Sequence, residues 1–86
     1  MLPKSLIIEL GTSLAKEIGF MEGEFNVTVH EPSGTGFLNF GREHCHGVCS
    51  SQMDAITATL GRRFHGIYAS ENGEISIRFG TRLQEW

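Results

Sequence analysis

With 86 residues, 40% of them hydrophobic, and a formal net charge of −3, the chain suits one small domain, since either half alone would be too small to bury a core. Seven Lys and Arg against ten Asp and Glu leave no basic footprint, so nucleic acid is not an expected partner, and the chain is not acidic enough to imitate DNA. The longest apolar run near the N-terminus, Leu6-Ile7-Ile8, stops at Glu9, so neither a signal peptide nor a membrane span is expected and a cytoplasmic setting is.

The charge is unevenly placed. Residues 1–43 set Lys4, Lys16 and Arg42 against Glu9, Glu17, Glu22, Glu24, Glu31 and Glu43, and so carry the whole of the −3. In the remainder Arg62, Arg63, Arg78 and Arg82 balance Asp54, Glu71, Glu74 and Glu85. A domain of this size buries only about 60 to 65% of its unfolded surface, so a second subunit or a larger protein is an expected source of added stability.

In chain order, Pro3 followed by Leu6, Ile7, Leu10, Leu14 and Ile18 predicts an amphipathic helix over Pro3–Ile18. Gly19 is placed to stop it in a left-handed cap, with Phe20 supplying an apolar contact. Gly11 in mid-helix costs about 1 kcal/mol relative to Ala and so predicts a close approach to another backbone. Phe25 to His30 alternates apolar and polar residues, and Phe37-Leu38-Asn39-Phe40 resumes after the turn-rich Glu31-Pro32-Ser33-Gly34-Thr35-Gly36. A hairpin is predicted, with Phe25, Val27 and Val29 inward and Thr28 and His30 toward solvent or a partner.

Ser51-Gln52-Met53-Asp54 resembles a capping box, and Met53, Ile56 and Leu60 continue at helical spacing. A second helix is therefore predicted from Ser51, with Phe64 extending the stripe and favouring a stop at Gly66 over Gly61. Ile67 to Ser70 and Ile75 to Phe79 flank Asn72-Gly73, which predicts a hairpin with a two-residue type I′ turn. In that register Ser70 faces Ile75 and Tyr68 faces Ile77, while Ser76 and Arg78 point outward. Leu38-Asn39-Phe40-Gly41-Arg42 and Ile77-Arg78-Phe79-Gly80-Thr81 close the two halves alike. The order is α-β-β-α-β-β: an α+β fold of two layers, with a four-stranded antiparallel sheet and two helices on one face.

Both cysteines and two of the four histidines fall within Glu43-His44-Cys45-His46-Gly47-Val48-Cys49. Thiolate and imidazole are the donors that Zn²⁺ prefers, so Cys45, Cys49 and His46 with either His30 or His65 form one candidate metal set. Structural zinc sites draw two separated ligand pairs from the chain, and only one compact cluster is present here. The expectation is therefore no cofactor, with zinc as the alternative. Cys49, two residues before the predicted helix start, is the candidate nucleophile of a thiol enzyme, but no cysteine-enzyme pattern surrounds it.

Aromatic and Arg side chains are enriched at binding hot spots. Trp86, Arg82 and Leu83 in the C-terminal tail, Arg62 and Arg63 near the end of the second helix, and Thr28 and His30 on the outward side of the first strand are the candidate partner-binding residues. These features point to a non-enzymatic protein-binding module, a regulator, adaptor or inhibitor acting on a larger protein, as a homodimer.

Overall fold

The computed structural model describes residues 2–41 and 50–81. Its elements are α1 (Lys4–Ile18), β1 (Phe25–His30), β2 (Thr35–Gly41), α2 (Ser50–Leu60), β3 (Phe64–Ala69) and β4 (Glu74–Gly80), with short 3-10 turns at Glu31–Ser33 and Gly61–Arg63.

α1 forms where the apolar stripe predicts it. Pro3 precedes it in an extended conformation and receives the N–H groups of Leu6 and Ile7 at 3.1 Å on its carbonyl. Gly19 ends it at φ 107°, donating to Ala15 and Lys16, and Phe20 donates to Ala15 at 2.9 Å. This is the left-handed glycine stop that satisfies the last helical carbonyls. Phe20 then turns onto the sheet, its ring centroid 4.7 Å from that of Phe40 and 6.4 Å from that of Phe25.

The sheet is antiparallel throughout, in the order β1-β2-β4-β3. Both helices cover one of its faces. One core cluster joins Ile7, Leu14 and Ala15 of α1 and Ile56 and Leu60 of α2 to Leu38, Phe40, Ile77 and Phe79 of the two central strands. Burial of apolar surface at roughly 25 cal/mol per Å² is the main force holding the layers together.

Two glycines set the distance between α1 and the sheet. A Cβ on Gly36 of β2 would stand 2.3 Å from Ile7 Cγ2 and 3.0 Å from the Phe79 ring. A Cβ on Gly11 would stand 2.9 Å from Val27 and 3.1 Å from Phe79. The close approach predicted at Gly11 is thus real, but it meets side chains of the sheet and not another backbone.

The two hairpins repeat one another. Phe25 faces Phe40 as Phe64 faces Phe79, and Val27 faces Leu38 as Ile67 faces Ile77. Leu38 in turn faces Ile77 across the β2–β4 seam, so an approximate two-fold axis runs through that pair, normal to the sheet. The first four residues of the similar closings seen in the sequence, Leu38–Gly41 and Ile77–Gly80, lie at equivalent positions of the two central strands.

Three local expectations are corrected. α2 begins at Ser50 and ends at Leu60, and Gly61, at φ 54°, opens a 3-10 turn. Phe64 therefore starts β3 and does not extend the helix. β2 begins at Thr35, not Phe37, because His30 and Thr35 already pair.

The third correction concerns the turn before β4. Only Gly73 there has positive φ, at 85°, whereas a type I′ turn needs two such residues. Ser70 pairs with Glu74 (Ser70 N–H to Glu74 carbonyl 2.8 Å) around a three-residue loop, with Gly73 N–H donating to Ser70 at 3.3 Å. Ser70 Oγ bonds the Asn72 side chain and receives the Glu74 N–H at 3.1 Å. This side-chain clasp favours the longer turn. The shift of one residue pairs Tyr68 with Ser76 and Ile67 with Ile77. Because side chains alternate along a strand, Tyr68 leaves the core face for the open one.

Candidate functional site

No described helix covers the second face of the sheet, and the strand registers place its side chains in rows. One row reads Asn26, Asn39, Ser76, Tyr68; the next reads Thr28, Phe37, Arg78, Gly66; a shorter one reads His30, Thr35, Gly80. Along the strands the only acidic position on this face is Glu74, four residues from Arg78 and thus about 13 Å away.

The first row is closed on itself. Asn39, 8% exposed, donates its side-chain amide to Asn26 Oδ1 at 2.8 Å and to Thr28 Oγ1 at 2.6 Å. Its Oδ1 accepts from Ser76 Oγ at 2.7 Å. Every polar atom of this nearly buried amide is used, which ties β1, β2 and β4 into a stiff platform. Tyr68 ends the row at 51% exposed, and a Cβ on Gly66 would stand 3.2 Å from its hydroxyl. The phenol ring thus lies over the glycine.

The second row is open. Arg78 is half-buried, and its Nε is buried with no hydrogen-bond partner among the described residues. With Phe37, Thr35, Ser33 and His30 it lines a cleft of about 330 Å³. The cleft's far wall is fixed by the turn between β1 and β2. Gly34 at φ 65° closes that turn, its N–H donating to Glu31 at 3.1 Å. The Ser33 hydroxyl sits 2.7 Å from His30 Nδ1 and 2.9 Å from Thr35 Oγ1.

A Cβ on Gly80 would stand 2.4 Å from the Gly34 carbonyl oxygen. Only glycine there lets β4 pass that close to the turn. A second hollow, of about 410 Å³ at the C-terminal end of α1, is lined by Thr12, Lys16, Phe20, Glu22, Gly23 and Phe25.

Of the predicted partner-binding residues, Thr28 and His30 lie on this face, on its edge strand β1. Arg62 and Arg63 lie in the 3-10 turn before the opposite edge strand, and Arg63 Nε, like that of Arg78, is buried without a partner among the described residues. Trp86, Arg82 and Leu83 lie outside the described residues, as do Cys45, Cys49 and His46.

The two histidines considered as further metal ligands are not brought together. His30 is on β1 and His65 on β3, three strand spacings or about 14 Å apart. His65 donates from Nε2 to the Thr81 carbonyl at 2.8 Å, at the same end of the sheet as His30. Gly41, the last described residue before the Cys/His segment, is six residues along β2 from Thr35, about 20 Å away. Among the described residues no group of three or more His, Cys, Asp or Glu is gathered.

Sequence reasoning missed Phe37, Asn39 and Tyr68 as surface determinants. Phe37 follows a turn whose length decides which way it points, and Tyr68 was placed inward by the shorter turn. Arg78 was read as outward, but nothing in its neighbours along the chain predicts Phe37 beside it.

Fold and surface together define a small two-layer α+β domain with one polar-aromatic sheet face that no described helix covers. The chain matches no protein-family model, no curated protein and no solved structure. Among the described residues no helix is long and apolar enough to cross a membrane.

Proposed function

We propose that this protein is a non-enzymatic protein-binding module, a regulator, adaptor or inhibitor that docks a larger protein on the open face of its sheet. The observation that carries the reading is the Tyr68–Phe37–Arg78 set, held on a backbone that the Asn26–Asn39–Ser76 bonds stiffen. Aromatic and Arg side chains on a preorganised surface lose little entropy on binding and dominate interface energetics. Arg78 gives the face a cation in an acidic chain, so the favoured partner surface is acidic.

The reading includes self-association along β1. This edge strand is regular over six residues, Phe25 to His30, and holds no Lys, Glu, Pro or Gly. The other edge is interrupted, because the pairing of β3 with β4 shifts between Phe64 and Gly66. Charges, prolines and bulges are how natural sheets blunt an edge. β1 has none of them, so a second copy fits there as a continuing antiparallel strand.

Capture from source-cell lysate with four baits tests the docking face: wild type, Tyr68→Glu, Phe37→Ser, and Glu17→Lys on the exposed side of α1. One protein species retained by wild type and by Glu17→Lys, and lost with both sheet-face variants, is the expected result. Equal capture by all four baits, or none by any, overturns the reading.

A further inference from the structure

We infer that the cleft beside Arg78 is a carboxylate-binding site, and that an Asp or Glu side chain of the docked protein supplies the carboxylate. The inference rests on the protein-binding reading and names the chemistry recognised within that face. Three independent features converge on it.

The first is an unmet demand. Among the described residues Arg78 holds a buried Nε–H with no acceptor, and a buried donor without a partner is costly, more so in a charged group. A guanidinium presents its donors in a planar fork that matches the two oxygens of a carboxylate. A carboxylate entering the cleft meets the guanidinium at its terminal amines, and a small turn of the fork onto that ligand would give the buried Nε–H its acceptor.

The second is preorganisation. Thr35, 4% exposed, holds its hydroxyl against Ser33, and Ser33 in turn holds the His30 ring. The wall opposite Arg78 is thus a fixed set of small polar groups. With His30 Nδ1 engaged by Ser33, Nε2 is the ring nitrogen left to meet a ligand. Phe37 lines the cleft beside Arg78 and gives it an apolar side.

The third is charge balance. The one guanidinium matches one negative charge. Neither a second Arg or Lys nor a helix N-terminus, the usual supports of a phosphate dianion, lines the cleft. Glu31, in the adjoining turn, is exposed and does not line it. The volume of about 330 Å³ admits a whole acidic side chain rather than an isolated ion.

The pseudo-two-fold axis sharpens the assignment. It relates Arg78 to Asn39 and Phe37 to Ser76, so the closed Asn39–Ser76 pair and the open Phe37–Arg78 pair are two versions of one position. At one, protein side chains satisfy the polar group. At the other, the acceptor comes from outside.

The test is a titration of the full chain, followed through side-chain Nε–H resonances of arginine, with acetate and with N-acetyl-glutamate amide. Sodium chloride at matched ionic strength and inorganic phosphate serve as separate arms. The expected result is a saturable shift at Arg78 Nε–H with both carboxylates, none at Arg63, and none with chloride. Arg78→Gln should weaken the response of the His30 ring at least about tenfold, and Arg78→Lys should fall between.

No shift beyond that given by chloride, or a response to phosphate alone, overturns the inference. In the lysate experiment, an Arg78→Gln bait that captures the partner as wild type does overturns the partner carboxylate and leaves the docking face standing. Carboxylate binding with no face-dependent capture overturns the partner as the source, and takes the docking reading with it.

Discussion

The two α-β-β halves share a topology and an axis, yet they have diverged in opposite senses on the two faces of the sheet. On the core face, Gly36 of β2 corresponds to Ile75 of β4. The first position is emptied so that Ile7 of α1 presses onto the backbone; the second keeps a side chain, half-buried. On the open face, Asn39 corresponds to Arg78, and there the first half is closed by hydrogen bonds while the second is left unpaired. The difference is one of packing against polar satisfaction: the first half carries the tight packing and the closed hydrogen bonds, and the second carries the polar group left without an acceptor among the described residues.

The comparison breaks most severely at the glycine. Gly36→Val forces a branched side chain into the space of a fully buried Ile7 methyl and should cost about 3 kcal/mol or more, read as a lower denaturant midpoint. Ile75→Val, the related position on β4, should cost about 1 kcal/mol. Equal losses at the two sites would show that α1 and α2 sit on the sheet alike.

The open-face contrast is next in size. Asn39→Ala strands the Ser76 hydroxyl and the Asn26 carbonyl oxygen and should destabilise by about 2 kcal/mol. Arg78→Ala, which removes a group with no acceptor at Nε, should stay within about 0.5 kcal/mol of wild type. A larger loss at Arg78 than at Asn39 would reverse the assignment of roles and count against the carboxylate site.

The edges are read in association more than in stability. Val29→Lys puts an inward-pointing charge on β1, one of the devices by which edge strands resist pairing. Val29 packs against the core, so the change should cost about 1 to 2 kcal/mol in stability, and it should turn a wild-type dimer into monomer in a native mass spectrum. A wild-type protein that is strictly monomeric at micromolar concentration would remove self-association along β1.

How much of this was legible in the sequence follows the range of each interaction. The first helix, its stop at Gly19 and the inward set Phe25, Val27 and Val29 were readable, because periodicity and a glycine cap act within a few residues. The similarity of the Leu38 and Ile77 segments was visible as well, although only the sheet order shows it to be an axis. The end of α2 was misread because Phe64 keeps helical spacing; Gly61, with its left-handed φ, decides the matter locally. Tyr68 was misplaced because Asn72-Gly73 suits a two-residue turn, while Ser70 and Asn72 side chains hold a three-residue one. That single residue moved the largest aromatic on the open face from inside to outside.

The candidate site was legible only in its edge residues, Thr28 and His30. Its centre, Phe37 beside Arg78, joins positions 41 residues apart through the β2–β4 pairing. The amino-acid sequence by itself determined the class, the element order and which strand positions are apolar, since propensity and side-chain alternation are set by neighbours along the chain. Only the tertiary structure decided the strand order, the register across the central seam and hence which polar groups are satisfied and which is left open. Those depend on pairing between strands that no local preference specifies.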